Sequence, residues 1–288
     1  MKNETREFIK DRLEYILHVL VEALFPTRCQ ICEGFFPPPF RPNTWELFRE
    51  RFPDLPPLDQ MLASHVCPEC PREITRVESP ICPKCGVMCP TRDGADRLCK
   101  RCLTRPMRFG KARAFGVHEG TLGTLIHRMK YRERLKMARL LEHLLFSAFI
   151  HHWDVHGIDI LMPVPLHDRR SRKRGFNQAW MMFLHWHLIA EGVGVDLSHI
   201  RLERDVLFRT RHTRPQVGMD REERQENLRG AFTVRRAEKI RGRRILLVDD
   251  VFTTGSTADE CAKALLENGA ARMDVITLAQ AVRGKTDI

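Results

Sequence analysis

Between residues 29 and 102 the chain repeats C-x-x-C four times, at Cys29/Cys32, Cys67/Cys70, Cys82/Cys85 and Cys99/Cys102. No other feature restricts the fold so tightly. Two thiolates separated by two residues converge from one tight turn on a single point, and two such turns complete a tetrahedral four-sulfur site. Pro68, Pro83 and Gly86 supply turn chemistry beside the sulfurs. Eight cysteines in four equal pairs suit two zinc ions. With all ligands protein-derived no position is left for water, so the sites are structural rather than catalytic. The alternatives are disulfides, unligated thiols, or an iron–sulfur cluster, whose common ferredoxin spacings these pairs do not match. Cys82/Cys85 and Cys99/Cys102, with 13 residues (86–98) between them, form a compact ribbon, and Cys29/Cys32 then joins Cys67/Cys70. Cys89 reads as a free thiol and His65 as a surface residue, although either residue type can act as a substitute ligand.

The cysteine-bearing stretch builds little core of its own and depends on its staples. Residues 34–62, with seven prolines, read as an insertion within it. Ten cysteines in 288 residues fall well short of a disulfide scaffold, and 43% hydrophobic with 30% charged residues is a soluble globular profile. No run reaches the ~18 apolar residues of a membrane span. The first apolar run, Tyr15 to Phe25, is broken by His18 and Glu22 and lacks a small-residue cleavage site, so it is not a signal peptide. The expectation is a protein of the reducing cytoplasm without membrane insertion, where paired cysteines bind metal. Phe8, Ile9, Leu13, Ile16, Leu17, Leu20, Val21 and Leu24 recur at helical spacing. They predict an amphipathic helix over 5–25, ended by Pro26, whose stripe packs on a neighbouring domain or serves a membrane or partner helix. The expected organisation is therefore a helix at 1–25, a double ribbon module at 26–108, and a larger domain at 109–288.

In that larger part, strand and helix patterns alternate. Strands are predicted over Lys111–His118, Asp159–Pro165, Ala231–Val234, Arg244–Val248 and Asp274–Ala281. Helices are predicted over Leu122–Ile150 (one or two), Phe176–Glu191 and Ser256–Asn268, the last closed by Gly269 as a left-handed cap. Alternation of this kind implies an α/β domain with a mainly parallel sheet flanked by helices. Cys261 on the last helix reads as a small buried hydrophobe. His151, His152 and His156 around Trp153, and His185 and His187 around Trp186, lack metal spacing and read as surface or packing residues.

The most informative stretch runs from Arg244 to Thr257. An apolar strand leads into two adjacent carboxylates, Asp249 and Asp250, then into a Thr/Gly/Ser loop and a helix. Ligands of open α/β sheets bind beyond the carboxyl ends of the strands. A hydroxyl- and Gly-rich loop at a helix N-terminus offers backbone N–H groups and positive dipole to a phosphate. The Walker pattern is absent. Two acids ahead of a phosphate cradle suit a sugar phosphate, the acids gripping hydroxyls; the plainer alternative is a strand-end Asp-Asp turn followed by helix capping.

Val248-Asp-Asp-Val-Phe-Thr-Thr-Gly-Ser-Thr257 resembles the phosphoribosyl pyrophosphate (PRPP) motif of type I phosphoribosyltransferases. With the paired C-x-x-C ahead, Pro163-Val-Pro-Leu-His167, Arg174-Gly-Phe-Asn-Gln178 and Asn227-Leu-Arg-Gly-Ala-Phe232, the set is similar to the ComF (competence protein F) family over about residues 25–282. The resemblance implies a type I phosphoribosyltransferase fold preceded by a small zinc-ribbon module. It implies that Asp249 and Asp250 accept hydrogen bonds from the ribose hydroxyls, and that Thr253, Thr254, Gly255, Ser256 and Thr257 cradle the 5′-phosphate. Pro163 and Val164 would form the pyrophosphate loop, beside a Mg2+ bridging PRPP oxygens. The 34–62 insertion departs from the family's shorter ribbon, and Phe252 stands where a small aliphatic residue is common.

The chain carries a formal charge of +11, and residues 168–244 hold 19 Lys and Arg against 10 Asp and Glu, or +9 of it. Arg169, Arg170, Arg172, Lys173 and Arg174 cluster after the Pro-Val-Pro turn. Arg209, Arg211 and Arg214 lie with Gln216 in a long polar segment ending near Arg229, where the resemblance implies a mobile loop that closes over the pyrophosphate. Such cations meet pyrophosphate or a nucleic-acid backbone, or form an ordinary solvated face. The resemblance thus implies a PRPP-binding, Mg2+-dependent pentosyl-transferring protein with an unidentified acceptor. By resemblance it handles incoming single-stranded DNA with other competence proteins. The alternative is a zinc-containing DNA-binding or adaptor protein whose PRPP site senses ligand without turnover; a nucleotide-salvage enzyme is a third reading, which leaves the ribbon unexplained.

Overall fold

Ile245, Leu246, Leu247 and Val248 are all apolar, and all four are buried. A strand apolar on both faces belongs in the middle of a parallel sheet with layers above and below. The computed structural model describes residues 28–29, 31–36, 66–67, 69–89, 94–131, 134–167, 175–211 and 221–281. The predicted helix over 5–25 and most of the proline-rich stretch lie outside these residues. The chain divides into two compact units, Met1–Glu73 and Ile74–Ile288.

In the second unit, α1 (Lys100–Thr104) precedes β1 (Ala112–Val117). Helices α2 (Gly120–Tyr131) and α3 (Arg134–His152) follow, then β2 (Ile160–Pro163). Next come α4 (Gln178–Met181), α5 (Trp186–Gly192), β3 (Arg201–Leu202), β4 (Leu207–Arg209) and α6 (Arg221–Leu228). The last elements are β5 (Phe232–Val234), β6 (Arg244–Phe252), α7 (Ser256–Glu267) and β7 (Arg272–Gln280). Five strands form one sheet in the order β1-β7-β6-β2-β3, and β4 pairs with β5 separately. Every pairing in the large sheet is parallel, and β4–β5 is antiparallel. Ile245 and Leu247 join a core with Cys261, Ala262 and Leu265 of α7, whereas alternation turns Leu246 and Val248 to the opposite face.

The order decides where a ligand site can form. The chain leaves β6 through α7 to reach β7 on one side, and leaves β2 through α4 and α5 to reach β3 on the other. The strand order therefore reverses between β2 and β6, which is the crevice-forming switch point of an open α/β sheet.

Two predicted elements change form. The helix expected over Phe176–Glu191 is two short helices with turns between them. The break is made by Glu142 of α3, 1% exposed, whose carboxylate accepts the backbone N–H of His185 at 2.5 Å and lies 3.2 Å from His185 Nδ1. Burial pushes the Glu142 carboxyl up. Trp186 is fully buried there, stacked on Phe149 at 5.0 Å. The strand expected to stop at Val248 runs on to Phe252, because β7 pairs with it as far as Phe252↔Gln280. Its start is tied to β2 by Asp159, which accepts Arg244 N at 2.7 Å and Arg244 Nη2 at 2.8 Å.

Candidate functional site

The overhang of β6 builds the crevice. β2 stops in register at Pro163↔Val248, and the Val164 amide donates to the Val248 carbonyl at 2.8 Å. The four residues Asp249–Phe252 thus extend beyond β2 while still paired to β7. Alternation sends consecutive side chains to opposite faces: Asp250 is 8% exposed and Asp249 half-buried. Each carboxylate accepts the next backbone N–H, Asp249 from Asp250 at 2.9 Å and Asp250 from Val251 at 2.8 Å. Beside them the Pro163-Val164 turn is fixed by Asn177. Its amide nitrogen donates to the Val164 carbonyl at 3.0 Å, and its oxygen caps α4 by accepting the Ala179 N–H at 2.9 Å.

After Phe252 the chain turns through Thr253 and Thr254 into Gly255, the N-cap of α7, with φ 73°. Only Gly adopts that region without strain. A Cβ there would also lie 2.7 Å from Phe252 Cζ. Thr254 Oγ1 and Ser256 Oγ are 2.9 Å apart, and the Ser256 N–H faces Thr254 Oγ1 at 3.4 Å. The Thr254 and Ser256 hydroxyls thus meet at the N-terminus of α7, where first-turn amides lack intrahelical partners and can receive an anion. The structure thus brings Pro163, Val164, Asp249, Asp250 and Thr253–Thr257 together at the switch point. Cys261 beneath the loop is fully buried, its thiol pushed well up by burial and then by the Asp249 carboxylate.

The basic residues divide. Arg169, Arg170, Arg172, Lys173, Arg174, Arg214 and Gln216 lie outside the described residues. Arg209, expected in a mobile polar loop, is instead 9% exposed in β4, its guanidinium 5.6 Å from the Phe232 ring centroid. Arg211 donates to the carbonyls of Glu226 and Asn227 at 3.1 and 2.7 Å, closing the C-terminal end of α6. Strand β4 and helix α6 therefore flank that segment, because non-local pairing with β5 recruits residues with no strand pattern of their own. Arg229 is exposed just past α6, and its neighbour Gly230 donates to Glu260 of α7 at 3.1 Å. Among the histidines, burial lowers His152 to about 3 and keeps it neutral. His156 stacks on His199 at 5.2 Å.

The eight paired cysteines form two groups, Cys29/Cys32/Cys67/Cys70 and Cys82/Cys85/Cys99/Cys102. Within each group the sulfurs all lie within 4.8 Å of one another. Four sulfurs at ~2.3 Å from a central ion form a tetrahedron with edges of about 3.8 Å. Observed separations are 3.7 Å for Cys29–Cys70, 3.8 Å for Cys32–Cys67 and 3.7 Å for Cys85–Cys99. A disulfide would need about 2.05 Å, and no described cysteine is disulfide-bonded. Both groups thus have the dimensions of four-thiolate zinc sites.

The backbone repeats the same turn in both. The first cysteine's N–H donates five residues ahead, Cys29 to Gly34 and Cys82 to Val87, both at 2.8 Å. The fifth residue is left-handed, Glu33 at φ 62° and Gly86 at φ 71°. Gly34 thus closes the first turn. Burial raises Cys29, but the amides of Cys67, Cys32 and Ile31 outweigh this and bring it down to about 7. Hydrogen bonds from Cys102 and Cys85 hold Cys82 far below the usual thiol range. The thiols that share each group with them, Cys67 and Cys70 in the first and Cys85 and Cys102 in the second, are instead pushed up. The second group packs on the sheet: Gln280 Nε2 donates to the Cys85 carbonyl at 3.0 Å, and the Ala112 N–H to the Lys84 carbonyl at 2.8 Å.

One site residue carried no signal in sequence. Phe252, a bare departure from a motif, is 4% exposed. Its ring meets Phe109 edge-on, with centroids 6.0 Å apart and planes at 87°.

Residues 204–287 match the model of the phosphoribosyl transferase domain family. Over 218 residues the chain is 33% identical to the DNA utilization protein YhgH of Escherichia coli, covering 75% of this chain and 90% of that protein. It is 29% identical over 223 residues to competence protein F of Haemophilus influenzae, covering 75% and 90%. With competence protein ComFC of Bacillus subtilis it shares 25% over 215 residues, covering 72% and 80%. No helix among the described residues is long and apolar enough to cross a membrane. With a phosphoribosyltransferase domain behind two four-cysteine groups, the chain belongs to the ComF (competence protein F) family.

Proposed function

We propose that the protein binds PRPP with Mg2+ at the crevice between β2 and β6 and transfers its phosphoribosyl group, acting on or alongside single-stranded DNA in the cytoplasm. The observation that carries this reading is the convergence of the Pro163-Val164 turn, the Asp249-Asp250 overhang and the Thr253–Thr257 loop on one switch point. In this reading Asp249 and Asp250 accept the ribose hydroxyls, while Thr253–Thr257 and the first-turn amides of α7 hold the 5′-phosphate. Pro163 and Val164 face the pyrophosphate. Arg169, Arg172, Lys173, Arg174, Arg214 and Arg229 supply positive charge to pyrophosphate or to a nucleic-acid backbone.

Displacement at the anomeric carbon breaks the bond to the pyrophosphate oxygen, the electron pair leaving with pyrophosphate while the acceptor bonds from the opposite side. The protein's share is to position the sugar and neutralise developing charge, with little proton transfer at the leaving group. Mg2+ arriving with PRPP would supply charge neutralisation to the departing pyrophosphate beside the Pro163-Val164 turn. The two cysteine groups hold structural Zn2+. The relatives' names, which speak of competence and DNA utilization, support the role in DNA uptake.

Calorimetric titration of PRPP with Mg2+ into the wild type, Asp249→Asn and Asp250→Asn tests the site. Binding that each substitution weakens at least about tenfold, near 1.4 kcal/mol, is expected. Equal affinity in all three would remove the ribose from these carboxylates. Pyrophosphate release measured with and without single-stranded DNA then tests turnover.

A further inference from the structure

Arg108 and Phe109 follow α1, six and seven residues after Cys102. They grip the two ends of the hydroxyl-rich loop. Phe109 is fully buried and takes the near end: its ring meets Phe252, the last residue of β6, edge-on at 6.0 Å. Phe252 Cζ in turn lies directly beneath Gly255. Arg108 takes the far end: its backbone N–H donates to Asp259 Oδ1 at 2.6 Å and its guanidinium to Asp259 Oδ2 at 2.7 Å. Asp259 donates its own N–H to the Gly255 carbonyl at 2.8 Å, closing the first turn of α7. Phe109 also carries the ammonium of Lys84, 5.7 Å from the ring centroid, and Lys84 is an inner residue of the Cys82–Cys85 turn.

We infer that Arg108 and Phe109 are positioning residues, a two-residue clamp through which the second cysteine group sets the geometry of the Thr253–Ala258 loop. The clamp follows from the contacts alone; its effect on ligand affinity rests on the PRPP reading. Two successive residues fixed on one rigid module leave the loop's ends little freedom to separate. The anion-facing amides are thereby pre-organised before ligand arrives, which lowers the ordering cost of binding. Loosening the cysteine group should therefore loosen the loop through Arg108 and Phe109.

Hydrogen exchange, read by mass spectrometry on the metal-loaded, ligand-free protein, tests the clamp without reference to any ligand. In Arg108→Ala the amides of Asp259–Cys261 should exchange about two- to fivefold faster, the factor expected from losing a partly exposed ion pair. Arg108→Lys should recover most of that protection. Cys99→Ser should accelerate the same amides at least as much, while β7 keeps wild-type rates in both Arg108 variants. Affinity for PRPP with Mg2+ should fall by a similar factor in Arg108→Ala and recover in Arg108→Lys. Unchanged exchange at Asp259–Cys261 in Arg108→Ala, or equal acceleration across β7, would overturn the clamp. A wild type that fails to bind PRPP would defeat the functional reading, and the exchange comparison would still decide the clamp.

Discussion

Replacing Gly255 by Ala tests the loop's construction at one atom. The residue sits at φ 73°, where an L side chain costs ~1–2 kcal/mol. The added methyl would stand 2.7 Å from Phe252 Cζ and 3.2 Å from Cε2. Ordinary carbon contacts lie near ~3.5–4 Å, so the ring must retreat by roughly 1 Å. Phe252 is itself 4% exposed and in edge-on contact with the fully buried Phe109, so an overpacking cost of ~1–3 kcal/mol applies. The reduced freedom of the unfolded chain returns ~0.5 kcal/mol. The net destabilisation is about 2–4 kcal/mol, of which the steric part depends wholly on Phe252. Phe252→Leu removes the ring's far edge, so in that background Gly255→Ala should cost only about 1 kcal/mol, the conformational part. Urea unfolding midpoints of the wild type, both single variants and the double variant, at constant free zinc, give the coupling directly. A coupling of about 1–3 kcal/mol is expected; one below about 0.5 kcal/mol would refute the claim that the ring supports the loop.

Two further outcomes follow from other parts of the molecule. Arg244 holds the Asp159 carboxyl down to about 2 from 3.8. A depressed carboxylate stabilises the fold above its unfolded value, and the benefit is lost as pH falls through the folded one. Asp159→Asn should therefore cost about 1 kcal/mol at neutral pH, after screening of the half-exposed guanidinium, and the gap to the wild type should close between about pH 4 and pH 2. A gap independent of pH would assign the effect to packing. Native mass spectrometry should find two zinc ions per wild-type chain and one in Cys85→Ser, since losing one of four thiolates breaks one closed site; two ions in the variant would dissociate that group from metal binding.

The local part of this architecture was open to sequence reasoning. The apolar run Ile245–Val248, the helix from Ser256 to its Gly269 cap, and the cysteine turns all depend on residues within a few positions of one another. Periodicity and turn chemistry act over that range. The loop's ingredients were legible for the same reason, since Asp249, Asp250 and Thr253–Thr257 are contiguous. Tertiary structure decided what those ingredients face. Strand β6 continues through two carboxylates, against the hydrophobic pattern, because β7 pairs with it to Gln280. The helix at 178–192 splits because a buried Glu142, about 43 positions earlier in sequence, takes the His185 amide. Arg209 leaves the surface because β5 pairs with its strand. The meeting of Pro163-Val164 with Asp249-Asp250 follows from strand order, which no window of sequence contains. Phe252 gains its place only from Phe109, Gly255 and the fold between them. Sequence by itself thus determined the elements and the chemistry they carry. The packed fold determined their juxtaposition, because burial and pairing between distant segments outweigh the weak local preferences of the residues concerned.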